Sequence, residues 1–209
     1  MSATVLIEVG GYVLAGGKSS RMGTDKALVE LAGRPLIATA VEKLSQICAE
    51  VYILSSNSAL ESYAPLIRDL HEDCGPIGGL EAALAHSRFD WNLLLPVDVP
   101  FMPAKFLGDW VQRVTARADI RAAYFELDGK PQPGVLLIRR EAGSSIRDSI
   151  LQGQRKLLPA IAEASLGWCV WVERLSGANA QRWFVNVNTP NELETARSHL
   201  LIQDSSDAS

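Results

Sequence analysis

The sequence predicts an α/β fold: a mainly parallel central sheet with helices on both faces and a small antiparallel excursion. Three observations predict it. Short apolar runs alternate with helix-period stretches through the first half of the chain, the rhythm of strands joined by crossover helices. NLLLPVD (Asn92–Asp98) is apolar nearly throughout, as a strand covered on both faces should be. After about Ile120, RAAYFEL and PQPGVLLIRR follow one another around DGK, which reads as two strands and a turn.

The elements follow in order. YVL (Tyr12–Leu14) reads as a buried strand, and TVLIEV before it as an added edge strand or a loose extension. PLIATAVEKLSQI reads as a helix with Pro35 at its first position, because Leu36, Ala40, Leu44 and Ile47 share one face. VYILS (Val51–Ser55) is the next strand and PLIRD (Pro65–Asp69) a weaker one. Residues Gly78–Ser87 read as a helix opened by GPIGGL, and Pro103–Val114 as another. Beyond the excursion come helical patterns at Glu141–Leu151 and Leu157–Ala164 and a late strand at Trp168–Leu175. Thr189 and Asn191 compete as cap of a final helix. No repeat or linker interrupts residues 1–209, so a single domain is expected.

The 209 residues are 47% hydrophobic and 21% charged, enough apolar material for a core. The formal charge is −4 and the pI near 5.4, which argues against a broad nucleic-acid face. No apolar run approaches the ~20 residues of a membrane span, and the first residues lack the cationic start of a signal peptide. Cys48, Cys74 and Cys169 are too few and too scattered for a disulfide framework or a zinc site. A cytoplasmic protein is the expectation.

The chemistry concentrates in LAGGKSSRMGTDKAL, which begins at Leu14. Ala15, Gly16 and Gly17 follow a strand at the carboxyl edge of the sheet, where open α/β folds bind ligands. Glycines let backbone N–H groups approach an anion, and Arg21 and Lys26 can bring charge to polyphosphate oxygens. A Gly-rich turn with solvated cations is the plainer alternative. The pattern is neither GxGxxG nor GxxxxGK[ST], so a dinucleotide or P-loop reading does not apply. Asp98 ends a buried strand, where a carboxylate suits Mg²⁺ or merely a turn. Asp69, Glu72 and Asp73 can form a solvated acidic turn. Ser55 and Asn57 close another strand on the same edge, as ligand contacts or as an Asx or Ser turn. In FVNVNTP, Asn186 and Asn188 alternate with Val185 and Val187, so both amides face one way and can read a heterocycle. A strand edge leading to a helix cap is the plainer alternative. Arg155 and Lys156 precede a helix, as an anion contact or a solvated face. His71, His86 and His199 have no ligand-like spacing.

The opening loop resembles the nucleotidyltransferase superfamily signature LAGG-x-S-x-RMG-x-DK-x-L. Within it the chain, from about Gly11 to the final helix, is similar to molybdenum cofactor guanylyltransferases. The resemblance implies a Rossmann-like fold and Mg²⁺-dependent transfer of GMP from GTP to molybdopterin. It implies that Leu14, Ala15, Gly16, Gly17, Arg21 and Lys26 hold the nucleotide, while Asp25 orients the loop. It makes Asp98, in a DxP context, the metal-binding aspartate, and Asp69 a second nucleotide contact ahead of GP-x-x-GL, a role for which Glu72 and Asp73 compete. Gly75, Pro76 and Gly79 would lie against guanine, Gly79 replacing the usual alanine. Ser55 and Asn57 match a nucleotide-contacting position. Asn186 and Asn188 carry the family's NxNTP on the molybdopterin side, and Arg155 and Lys156 a basic pair for the acceptor's terminal phosphate. KPQPGVLLI matches an acceptor-side strand more weakly. The implied division is a nucleotide half at about 11–118, an acceptor half at about 119–201 and a tail at 202–209. Implied protein partners are a molybdenum-insertion protein and recipient molybdoenzymes or their chaperones.

Three other readings share parts of this pattern. A cytidylyltransferase for the same cofactor would usually carry DxDTP where this chain has NVNTP. A sugar-phosphate nucleotidyltransferase shares the loop but often has a longer chain and another acceptor half. A non-catalytic nucleotide-binding carrier would not need Arg21, Lys26 and Asp98 together.

Overall fold

The computed structural model describes residues 7–16, 25–187, 189 and 192–196. Its centre is strand β1 (Ile7–Leu14), flanked by β4 (Cys48–Leu54) and β6 (Trp91–Pro96), both parallel to it. The short β5 (Leu66–Ile67) continues the sheet beyond β4. On the other side come β8 (Lys130–Arg139), β7 (Ile120–Leu127) and β9 (Cys169–Leu175), giving the order β5-β4-β1-β6-β8-β7-β9. Only β8 runs against the rest, antiparallel to both β6 and β7. The expected excursion is therefore a hairpin arm inserted into a parallel sheet. Asp128 and Gly129 turn it with positive φ angles of 47° and 76°. The β7–β8 register shifts after Tyr124, opposite Pro133, which has no N–H to give the ladder.

Period-two alternation feeds two cores. Val9 and Val13 of β1, Ile53 of β4 and Leu93 and Leu95 of β6 face one side, with Leu44 and Trp110. These last two come from α1 (Leu36–Ser45) and α3 (Ala104–Thr115). Tyr12, Leu54 and Leu94 face the other side, with Leu80, Ile146 and Ile161. They come from α2 (Pro76–His86), α4 (Gly143–Leu151) and α5 (Leu157–Ala164). A sheet covered on both faces needs continuous apolar strands, as Asn92–Asp98 has.

Several details differ from the sequence reading. Ile7–Val9 are not an edge: they begin the central strand, so β1 is longer than Tyr12–Leu14. Pro35 sits one residue before α1, as its N-cap, because it pairs with Glu30 in a small hairpin of β2 (Glu30–Leu31) and β3 (Arg34–Pro35). Ala32 and Gly33 form its turn, with φ of 52° and 73°. Helix α2 starts at Pro76, two residues before the expected run, and α4 starts after a 3-10 turn at Arg140–Ala142. Helix α6 (Ala178–Trp183) was not expected: six residues are too short to show a period. Thr189 caps the final helix, its Oγ1 accepting from Glu192 N at 3.2 Å; Asn191 and the tail lie outside the described residues. Among the described residues no helix is long and apolar enough to cross a membrane.

Candidate active site

The carboxyl ends of β1, β4 and β6 lie on one edge, and the chain is tied there by backbone bonds. Val97 N donates to Leu14 O at 3.1 Å, and Ala15 N donates to Leu54 O at 3.3 Å. Leu14 and Ala15 are half-buried and Gly16 is exposed at the mouth. Gly17 and Arg21 lie outside the described residues. The loop is described again at Asp25, whose Oδ1 accepts from Ala27 N at 2.9 Å and starts the 3-10 turn Lys26–Leu28. The buried Ala27 pins this turn to the core, so Lys26 projects along the sheet edge.

Lys26 Nζ meets Asp98 Oδ2 at 2.6 Å, with the two side chains 16% and 21% exposed. A loop cation and a strand-end carboxylate, 72 residues apart, thus share one point of the crevice. Three bonds hold the Asp98 turn. Besides Val97 N, the carbonyl of Asp98 accepts from Val187 N at 3.2 Å, and that of Pro100 accepts from Lys43 Nζ at 3.0 Å. Lys43 is buried in α1, and burial pushes its ammonium down to a pKa of about 8. It was not singled out in the sequence.

The Val187 bond brings Asn186 and Val187 to the turn that carries Asp98. Val187 is buried and Asn186 exposed, the alternation the sequence implies; Asn188 lies outside the described residues. On the β4 side, Ser55 Oγ accepts from Asn57 N at 3.1 Å, and Asn57 Oδ1 accepts from Ala59 N at 3.0 Å. Asn57 Nδ2 donates to Asp25 Oδ2. Ser55 and Asn57 are therefore next to the Lys26 turn, but as an Asx-type turn as well as site-edge groups.

Helix α2 packs its glycines on this edge. A Cβ on Gly79 would meet Leu14 Cδ2 at 3.2 Å, and one on Gly78 would meet Asp69 Oδ2 at 3.1 Å. Small residues here let the helix start, Gly75 and Pro76, approach the crevice. Of the three competing acids, Asp69 is the one against α2. Desolvation and then the charge of Glu81 raise its carboxyl above the usual range. Glu81 is 1% exposed and is held by Arg147 Nε at 3.1 Å and His71 Nδ1 at 2.8 Å. His71, left without a role in the sequence, thus anchors the segment carrying Asp69. No local spacing could reveal it, because Glu81 and Arg147 are brought up by tertiary packing.

Arg155 and Lys156 lead into α5, with Lys156 at its N-cap position. The Arg155 guanidinium donates to Ile150 O at 3.0 Å and Gln154 O at 2.8 Å, capping the end of α4. Its carbonyl lies 3.9 Å from a Cβ built on Gly75, so the pair flanks the start of α2. A cavity of about 580 Å³ lined by Glu81, Asp90, Arg139 and Arg147 opens at the opposite edge of the sheet, away from Asp98. The Lys26–Asp98 pair, the strand-end bonds at Leu14 and Leu54, and Gly79 of α2 against Leu14 all lie at the carboxyl edge of the sheet.

Residues 11–166 match the family model described as MobA-like NTP transferase domain. The chain belongs to this family. As a MobA-like NTP transferase it is an enzyme of the nucleotidyltransferase class. It is 36% identical over 187 residues to the molybdenum cofactor guanylyltransferase of Vibrio atlanticus, covering 87% of this chain and 91% of the relative. It is 31% identical over 186 residues to that of Vibrio cholerae, covering 87% of each. In structure it is similar to molybdopterin-guanine dinucleotide biosynthesis protein A from Archaeoglobus fulgidus. There the TM-score is 0.70 at 26% identity, over 91% of this chain and 98% of that one. The Rossmann-like α/β architecture inferred from the loop is thus the architecture of this MobA-like transferase.

Proposed function

We propose that the protein transfers GMP from GTP to the terminal phosphate of molybdopterin, releasing pyrophosphate. The observation that carries this reading is the Lys26–Asp98 pair, whose turn is bonded to the NVN segment. In this reading Lys26 serves the nucleotide, Asp98 the metal and Asn186 the acceptor, at one edge of the sheet. The relatives' names supply guanylyl transfer for the molybdenum cofactor.

The acceptor phosphate oxygen attacks the α-phosphorus of GTP in line, and the bond to the pyrophosphate oxygen breaks. Lys26 and Arg21 balance the charge that builds on the phosphate oxygens. The backbone at Leu14, Ala15, Gly16 and Gly17 carries the phosphates; Asp69, Ser55 and the α2 start at Gly75, Pro76 and Gly79 border the nucleoside. Asn186 and Asn188 orient the pterin, with Arg155 and Lys156 on the acceptor phosphate. Positioning and electrostatics do the work, with no covalent enzyme intermediate. The halves at about 11–118 and 119–201 are then a nucleotide side and an acceptor side.

The donor set fits Mg²⁺. Asp98 has Oδ2 on Lys26 and sits partly exposed at the mouth, and Mg²⁺ usually takes one or two carboxylates beside substrate phosphates. When bound, the ion neutralises the triphosphate and the leaving pyrophosphate. The same reading assigns the protein to the cytoplasm, where the unpaired thiols of Cys48, Cys74 and Cys169 stay reduced.

The test is pyrophosphate release with GTP or CTP at saturating Mg²⁺, with and without molybdopterin. Release that needs both GTP and acceptor is expected. A preference for CTP, or tight GTP binding without release, overturns the reading.

A further inference from the structure

Lys26 reaches Asp98 on a long, flexible side chain, so its ammonium is placed only as well as its backbone is. That backbone is held from a distance. Asn57, just beyond β4, is itself fixed: its N–H donates to Ser55 Oγ at 3.1 Å and its Oδ1 accepts from Ala59 N at 3.0 Å. With the backbone held by one bond and the amide oxygen by the other, Nδ2 donates to Asp25 Oδ2. The other oxygen of Asp25 accepts from Ala27 N at 2.9 Å and closes the turn that begins with Lys26. Lys26 Nζ then meets Asp98 at 2.6 Å. Two strand ends and the loop are thus joined in one line of hydrogen bonds.

We propose that Asn57 is a positioning residue, which sets Lys26 against Asp98 by way of Asp25. The proposal rests on the reading of Lys26 and Asp98 as the nucleotide-transfer site. It assigns Asn57 a task different from the nucleotide contact that its family position implies. The chemistry of the pair makes the two tasks separable. An aspartate at 57 would face Asp25 with like charge and no hydrogen to share. An asparagine at 25 would then restore the bond with donor and acceptor exchanged, and its amide oxygen could still accept from Ala27 N. A residue that donates to the nucleotide cannot be exchanged in this way, since the donor it offers is gone.

The experiment compares the wild type, Asn57→Asp and the double variant Asn57→Asp/Asp25→Asn. It reads kcat and KM for GTP with Mg²⁺ and molybdopterin. It also reads, by mass spectrometry, the rate at which acetic anhydride acylates Lys26 in the substrate-free protein. Asn57→Asp should lower kcat by about 10- to 100-fold, with KM for GTP moved less than about 3-fold. Acylation of Lys26 should speed up. The double variant should return kcat and acylation to within about 3-fold of wild type. A double variant as impaired as the single one, or an Asn57→Asp effect confined to KM, overturns the proposal. Should Asn57→Asp fail to fold, Asn57→Ala serves: lower kcat and faster acylation support the relay, and wild-type values for both sink it. If the wild type transfers no GMP, the guanylyl reading falls, while the acylation series still decides the relay.

Discussion

Lys26 and Asp98 are 2.6 Å apart yet partly exposed, a combination suited to charge handling more than to holding the fold together. An ion pair at such a surface contributes about 1 kcal/mol or less. Lys26→Ala and Asp98→Ala should therefore leave the unfolding free energy within about 1 kcal/mol of wild type while lowering turnover by about 100-fold or more. Paired urea melts and pyrophosphate assays check this, and near-wild-type turnover in both variants would remove the site. At this scale the sequence was informative where chemistry is local. Asp98 could be picked out because it ends an apolar strand run, and Lys26 because it is a cation of the Gly-rich loop that begins at Leu14. The bonds that aim them could not. Asn57 to Asp25 and Lys43 to Pro100 join residues 32 and 57 positions apart, and no short motif encodes them.

The start of α2 shows how an element tunes the crevice. Gly78 and Gly79 are adjacent, but their surroundings differ. A Cβ on Gly79 meets the far end of Leu14 at 3.2 Å, which can move; one on Gly78 meets Cys74 Cβ at 3.0 Å and the Asp69 carboxylate at 3.1 Å. Gly79→Ala should stay within about 1 kcal/mol of wild-type stability, the helix preference for alanine offsetting the contact. Gly78→Ala should destabilise by about 1–2 kcal/mol and raise KM for GTP several-fold by displacing Asp69, as thermal melts and steady-state kinetics will show. Elements with a long period were legible: α1, α2, α3, α5 and the strands β4, β6, β7, β8 and β9 fall close to their expected places. The misses are short. The β2–β3 hairpin and α6 are fixed by a two-residue turn and by packing, which leave little periodic trace. Order in the sheet was hidden as well, since the sequence announces a hairpin but not that its second arm enters beside β6.

Across the whole molecule, buried titratable groups set the response to alkali. Lys43 is depressed from 10.5 to about 8 by burial, so the unfolded chain holds more protons between these values and stability climbs through that window. Cys48 and Tyr12 are raised by burial to about 12, so the folded chain holds more protons above pH 9 and 10 respectively, and stability falls there. A maximum near about pH 9 is expected from these groups. Lys43→Met should gain about 1–2 kcal/mol at pH 7, the relief of a buried charge less a lost hydrogen bond. It should also lose the climb above pH 8; urea melts from pH 7 to 10 on both proteins measure it, and an unchanged climb would contradict the assignment. The bond from Val187 to the Asp98 carbonyl has a consequence for synthesis. A ribosome delivers β1, β4 and β6 early, and they can pair at once. The turn bearing Asp98 waits for its last tie until residue 187 has emerged, some ninety residues later. A growing chain can thus pair the strands around β1 long before the turn bearing Asp98 is fully tied.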